Sequence, residues 1–231
     1  MSRVLLKPIT TQVEYQGQYA WFALRLLANP ILLYEGFLRG FGKYGLSLRD
    51  LKYEPGADLS ESNINCFLLN FNVQVRVRSE RLEVTIFRMN FPDRNMAAEI
   101  VSEAWNAIQA SDPAVKPSQH SIMIRSHTDL PDDLSLDHLL KSYVSPLSEL
   151  RSLTRSGVIL YLAGDPEMGE KEGSVILDVS TIKKGALYLQ VSAIFDAEKV
   201  PTSDLTSKME IFLTRHLDAL GLGLEGVERR A

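Results

Sequence analysis

Residues 65–86 read NCFLLNFNVQVRVRSERLEVTI. Phe67, Leu69, Phe71, Val73, Val75 and Val77 occupy alternate positions, with Asn70, Asn72, Gln74, Arg76 and Arg78 between them. Successive side chains of a strand point to opposite faces. The pattern therefore predicts one strand over 65–78, apolar toward a core and polar on its other side. Ser79-Glu80-Arg81 turns the chain. Leu82, Val84 and Ile86 then alternate with Glu83 and Thr85 on a return strand. Arg78 and Glu83 flank the turn, where an ion pair spans two strands readily.

Phe91-Pro92-Asp93 breaks the return strand, and a helix is predicted over about 95–110. Ala97, Ile100, Val101, Ala104, Trp105 and Ile108 form its apolar stripe, and Ser111-Asp112-Pro113 stops it. The same order recurs roughly a hundred residues later. Val175, Leu177 and Val179 alternate, Lys183-Lys184-Gly185 turns, and Leu187, Leu189, Val191, Ala193 and Phe195 return. A helix over about 203–220 follows, with Leu205, Met209, Phe212, Leu213, Leu217 and Leu220 on one face and Gly221 at its end. Residues 64–110 and 173–221 thus predict an α+β fold. It is a mainly antiparallel sheet built from two similar strand–strand–helix units, with helices packed on one face. The chain 1–231 reads as a single compact domain with two pseudo-repeated halves, about 1–146 and 157–225. The two copies share order and spacing rather than residue identity.

Outside these units the signals are shorter. Residues 3–15 carry strand-like stretches, and 18–28 fit a helix and a buried strand equally. Asn29-Pro30 predicts an N-cap and first position for a helix over 30–42, with Leu33, Phe37, Leu38 and Phe41 inward and Gly40, Gly42 and Gly45 at its end. A strand is expected over 119–128 with Ile122 and Ile124 on one face. A short helix is expected over 135–144, favoured at its start by Asp132 and Asp133 and ended by Pro146. Val158, Leu160 and Leu162 mark a strand. Residues 163–173, with Asp165, Glu167, Glu170 and Glu172, read as a solvated loop, and Gly226–Ala231 as a frayed tail.

Composition narrows function by exclusion. The 231 residues are 45% hydrophobic and 23% charged, with a net charge of −4. That is a globular composition without the basic footprint of a nucleic-acid binder, and it disfavours attraction to anionic membranes. The most apolar region, 18–46, is interrupted by Arg25, Pro30, Glu35, Arg39 and Lys43, too often for a membrane-spanning helix. One cysteine, Cys66, precludes an intrachain disulfide and a cysteine zinc site, and its apolar setting predicts a buried inert thiol. The expectation is a soluble cytoplasmic protein.

Candidate chemistry is sparse. Gly40-Phe41-Gly42-Lys43-Tyr44-Gly45 and Gly221-Leu222-Gly223-Leu224-Glu225-Gly226 both spell G-x-G-x-x-G. Both follow a predicted helix, whereas a dinucleotide site needs the glycines ahead of one. His120 and His127 are seven apart, so they fall on opposite faces of one strand. Asp129, Asp132, Asp133 and Asp137 do not match a calcium loop. No metal and no cofactor is expected. The arginines Arg76, Arg78, Arg81 and Arg88 gather on one hairpin with Gln74. Arg76, Arg78, Arg88 and Gln74 are the candidate residues for a ligand or partner, without the interleaved aromatics of a nucleic-acid platform.

Two functions follow. The first is a non-enzymatic binding or protein-interaction protein, whose partner is another protein or a small ligand, its oligomeric state left open. It would use the Arg76/Arg78 face, an edge strand, or a sheet–helix cleft lined by Trp105, Phe71, Phe212 and Tyr188. The alternative is a small-molecule enzyme with a site assembled in that cleft from His120, His127, Arg125 or Asp178.

Overall fold

The structure is a computed structural model and describes residues 3–90, 93–143 and 157–227. Its centre is a long first strand, β1 (Val4–Tyr19). Pro8 has no N–H to give to a ladder, and the register of β1 slips between Pro8 and Thr10. Inward-facing positions therefore change parity, from Leu6 before the slip to Thr11, Tyr15 and Tyr19 after it. The segment that fits helix and strand alike is divided: β1 runs through Tyr19, and a short α1 (Leu24–Ala28) follows.

Next comes α2 (Ile31–Phe41), which buries Leu33, Phe37 and Phe41. Its N-cap is Pro30, without a side-chain hydrogen bond, and Asn29 instead closes α1. A meander of β2 (Leu51–Glu54), β3 (Asn63–Leu68), β4 (Val73–Val77) and β5 (Arg81–Ile86) leads to α3 (Arg94–Ser111). Then follow β6 (Pro117–Asp129), α4 (Leu136–Tyr143), β7 (Val158–Ala163), β8 (Glu170–Val179), β9 (Leu187–Asp196), α5 (Leu205–Ala219) and β10 (Leu222–Leu224). The strand order is β2-β3-β4-β5-β1-β6-β9-β8-β7, every neighbouring pair antiparallel, with β10 parallel to the start of β1. The protein is thus an α+β molecule with a large antiparallel sheet. No described helix is long and apolar enough to cross a membrane.

The apolar stripes read from the sequence form the core. Ile100, Ala104, Trp105 and Ile108 of α3, and Met209, Phe212, Leu213 and Leu217 of α5, are buried against the same sheet face as Tyr15, Val84, Ile86, Ile122 and Ile124. Each large side chain buried this way contributes about 1.5–3 kcal/mol. Close approach is built in at two glycines. A Cβ on Gly17 would lie 2.5 Å from the Trp105 ring and from the Tyr15 hydroxyl, and one on Gly173 would lie 2.3 Å from the Phe212 ring.

Four further expectations are corrected. Residues 65–78 are a hairpin, not one strand: β3 ends at Leu68 and β4 begins at Val73, with Leu69, Asn70 and Phe71 all at positive φ. Leu68 pairs with Val73, an even position with an odd one, so parity changes across the turn. The inward residues are Ile64, Cys66 and Leu68, then Val73, Val75 and Val77; Phe67 turns to the other face and Phe71 is exposed. Within 163–173, Glu170 is buried and already belongs to β8. The cap of α4 comes from Ser135, whose hydroxyl accepts the His138 N–H at 3.2 Å, rather than from Asp132 or Asp133. After Gly221 the chain forms β10. The expected break at Phe91-Pro92, the stop at Pro146, the junction over 146–156 and residues 228–231 of the tail lie outside the described residues.

Candidate functional site

The sheet face opposite the helices is polar. Alternation sends Gln12, Glu14, Gln16 and Gln18 of β1, Gln74 and Arg76 of β4, and Arg125 and His127 of β6 to it, and these side chains stay partly exposed or exposed. On the β3–β4–β5 part, cross-strand register places Asn65 beside Arg76 and Arg76 beside Glu83. Asn65 is fully buried at the floor. Its Oδ1 accepts hydrogen bonds from Gln74 Nε2 at 2.8 Å and from Arg76 Nε at 2.9 Å.

Three guanidinium groups converge on the Glu83 carboxylate. Arg81 Nε donates to it at 2.6 Å, Arg78 Nε lies 3.3 Å away and Arg76 Nη1 3.6 Å away. Arg81 also pairs with Glu80. Three positive groups therefore face two negative ones, and each arginine side chain keeps about a third of its surface open to water. Beside Arg81, Gln16, Gln18, Glu80, Gln119 and Ser121 line a polar depression of about 240 Å³. Of the four residues expected from sequence, Gln74, Arg76 and Arg78 sit together. Arg88 does not join them: it lies beyond the far end of β5, where its backbone bonds the Asn72 side chain. Asn65, Glu83 and the β1 glutamines were not singled out as site residues. Their signal is the register between strands, which periodicity along one strand does not carry.

A second polar group lies across β1, β6 and β9. Arg125 pairs with Glu14, and its Nε donates to Gln190 Oε1 at 3.3 Å. Tyr188 donates to the same oxygen at 2.8 Å. His127 Nδ1 lies 2.8 Å from the Ser180 hydroxyl, and partial burial lowers its pKa.

On the helix side, α3 and α5 leave an apolar cavity of about 90 Å³ over β1, β5 and β6, among Val13, Val101, Ile122, Met209 and Leu213, with Arg94 paired to Glu210 at its rim. None of Trp105, Phe71, Phe212 and Tyr188 lines it. Trp105 and Phe212 are core, Phe71 is exposed in the β3–β4 turn, and Tyr188 is on the polar face.

Behind the cavity, the Trp105 indole N–H donates to the Tyr15 oxygen at 2.6 Å, and that oxygen shares a hydrogen bond of 2.8 Å with His120 Nδ1. His120 Nε2 is buried, and the Val200 backbone beside the ring favours its charged form. Burial dominates and lowers the His120 pKa to about 4. It likewise raises Tyr15 well above the ordinary phenol range and Cys66 above the ordinary thiol range, so that thiol is inert.

His120 faces the core, whereas His127 and Asp178 are on the opposite face. Among the described residues, no group of three His, Cys, Asp or Glu side chains is arranged to hold a metal ion. No protein-family model matches the chain, and no curated protein matches it.

Proposed function

We propose that the chain is a non-enzymatic binding protein, and that it docks acidic side chains of a partner protein on the open β3–β4–β5 face. The observation that carries the reading is the convergence of Arg76, Arg78 and Arg81 on Glu83, which leaves an excess of positive charge on a rigid sheet. Arginine forks match carboxylates in paired hydrogen bonds and shed water more readily than ammonium groups. Against a net charge of −4, a local positive group also orients an approaching partner. The amide-lined depression beside Arg81 supplies further donors and acceptors.

The test is affinity capture from native cells with wild type and an Arg76→Gln/Arg78→Gln variant as baits. The substitutions remove partly exposed ion pairs and the Arg76 hydrogen bond to buried Asn65, so stability should fall by about 1–2 kcal/mol, which a melting curve of the variant checks. A partner recovered by the wild type should fall at least tenfold on the variant. Equal recovery by both baits, or no partner on either, overturns the reading.

We also propose that the sheet consists of two similar units. The order β3-β4-β5-β1 followed by β6-β9-β8-β7 is unchanged when β1 exchanges with β6, β5 with β9, β4 with β8 and β3 with β7. Each unit then contains strand, helix, three strands, helix in order (β1, α2, β3–β5, α3, and β6, α4, β7–β9, α5), the first carrying α1 and β2 in addition, and β6 and α4 belong with the second unit rather than with the expected half 1–146. This order supports the reading more firmly than residue likeness does. It also makes β1 and β6 the joint, within the antiparallel pair at the middle of the sheet.

A further inference from the structure

The proposed exchange of units leaves one strand over. In the first unit β2 covers the outer edge of β3, while among the described residues no strand covers the outer edge of β7. The two sheet edges also differ in chemistry. The β2 edge reads Leu51-Lys52-Tyr53-Glu54, with charges of the kind that protect an edge. The β7 edge reads Val158-Ile159-Leu160-Tyr161-Leu162-Ala163, with no charge, proline or glycine. Its Ile159 and Tyr161 side chains are 56% and 85% exposed.

Backbone geometry says which groups are open. Gly164 N–H bonds Lys171 C=O at 3.2 Å, in register with the β7–β8 pairs. Hydrogen-bonded and non-bonded positions alternate along an antiparallel pair. Leu160 and Leu162 therefore direct their backbone groups to β8, and Ile159, Tyr161 and Ala163 direct theirs outward.

We propose that β7 is a homodimer edge, pairing antiparallel with β7 of a second copy about a two-fold axis at Tyr161. In this register Tyr161 faces Tyr161, and Ile159 of each copy faces Ala163 of the other, so every outward N–H and C=O of the three residues meets a partner. An uncharged strand is complementary to itself because no like charges oppose across the axis. Isologous pairing closes after two copies, whereas β2 against β7 would continue without end. The proposal does not rest on the arginine face, which lies on the other unit.

The edge is short, so the dimer is expected to be weak, forming at about 10–100 µM. Sedimentation of the full chain should show concentration-dependent dimers. Tyr161→Lys sets two ammonium groups opposite each other and should weaken association at least tenfold while leaving the melting curve unchanged. Tyr161→Cys should be joined into a covalent dimer by a short bismaleimide, because facing residues of a hydrogen-bonded pair lie about 5.5 Å apart, within reach of such a linker. Ile159→Cys should not. A monomeric wild type, an undiminished Tyr161→Lys dimer, or equal cross-linking of both cysteine variants overturns the proposal.

Discussion

His120 is a histidine buried in the core, and the cost of that burial is measurable. Its pKa falls from 6.5 to about 4 on folding, because burial disfavours the imidazolium. The unfolded chain therefore binds a proton at higher pH than the folded one. The stabilisation from a neutral His120 is complete above about pH 6.5 and is lost as pH falls toward 4. Between pH 7 and 4.5 the loss amounts to about 2–3 kcal/mol. Urea unfolding of wild type and His120→Gln at both pH values checks this: the variant should lack that part of the pH dependence, and equal slopes would remove His120 as the cause. The inert burial of Cys66 and the opposite faces of His120 and His127 were legible from alternation along single strands. The hydrogen bond of Tyr15 to His120 was not, because it joins residues 105 apart in sequence, and only the β1–β6 register brings them together.

At the scale of elements, the apolar stripes of α3 and α5 were legible because a helix face is written at three-and-four spacing. Leu213 is 1% exposed on α5, so Leu213→Ala should cost about 2–5 kcal/mol in a denaturant melt, and Leu213→Asp should unfold the protein. The hairpin over 65–78 was misread because both of its strands alternate and no glycine or proline separates them. Its turn is made by Leu69, Asn70 and Phe71 at positive φ, residues of which only Asn favours that region. Three-residue β10 is too short to show a period, yet Leu222 and Leu224 are buried and Glu225 N–H bonds Leu6 C=O at 2.9 Å. A chain ending at Gly221 should therefore lose about 4 kcal/mol or more. A truncated chain that melts with the parent would show β10 to be peripheral.

For the whole molecule, the strand order was the part that no local pattern carries, since alternation says which way a side chain points and not which strand lies beside it. That order has a thermodynamic consequence. β1 and β6, the central joint of the sheet, pair from Lys7 with Asp129 to Tyr19 with Pro117, and β10 ties the end of α5 to the start of β1. Arg94 of α3 pairs with Glu210 of α5 across the same joint. Separating β1 from β6 would strip each central strand of a ladder and expose the core face shared by α3 and α5. Unfolding should therefore be a single transition. Trp105 is 3% exposed and reports the packing of α3 on the sheet, while Trp21 is 65% exposed and dilutes that signal, so Trp21→Phe leaves a clean probe. Its fluorescence and far-ultraviolet dichroism should trace one urea curve, with a slope set by the surface of the whole chain. Two separated midpoints would instead show that the parts of the sheet on either side of the β1–β6 pair unfold independently.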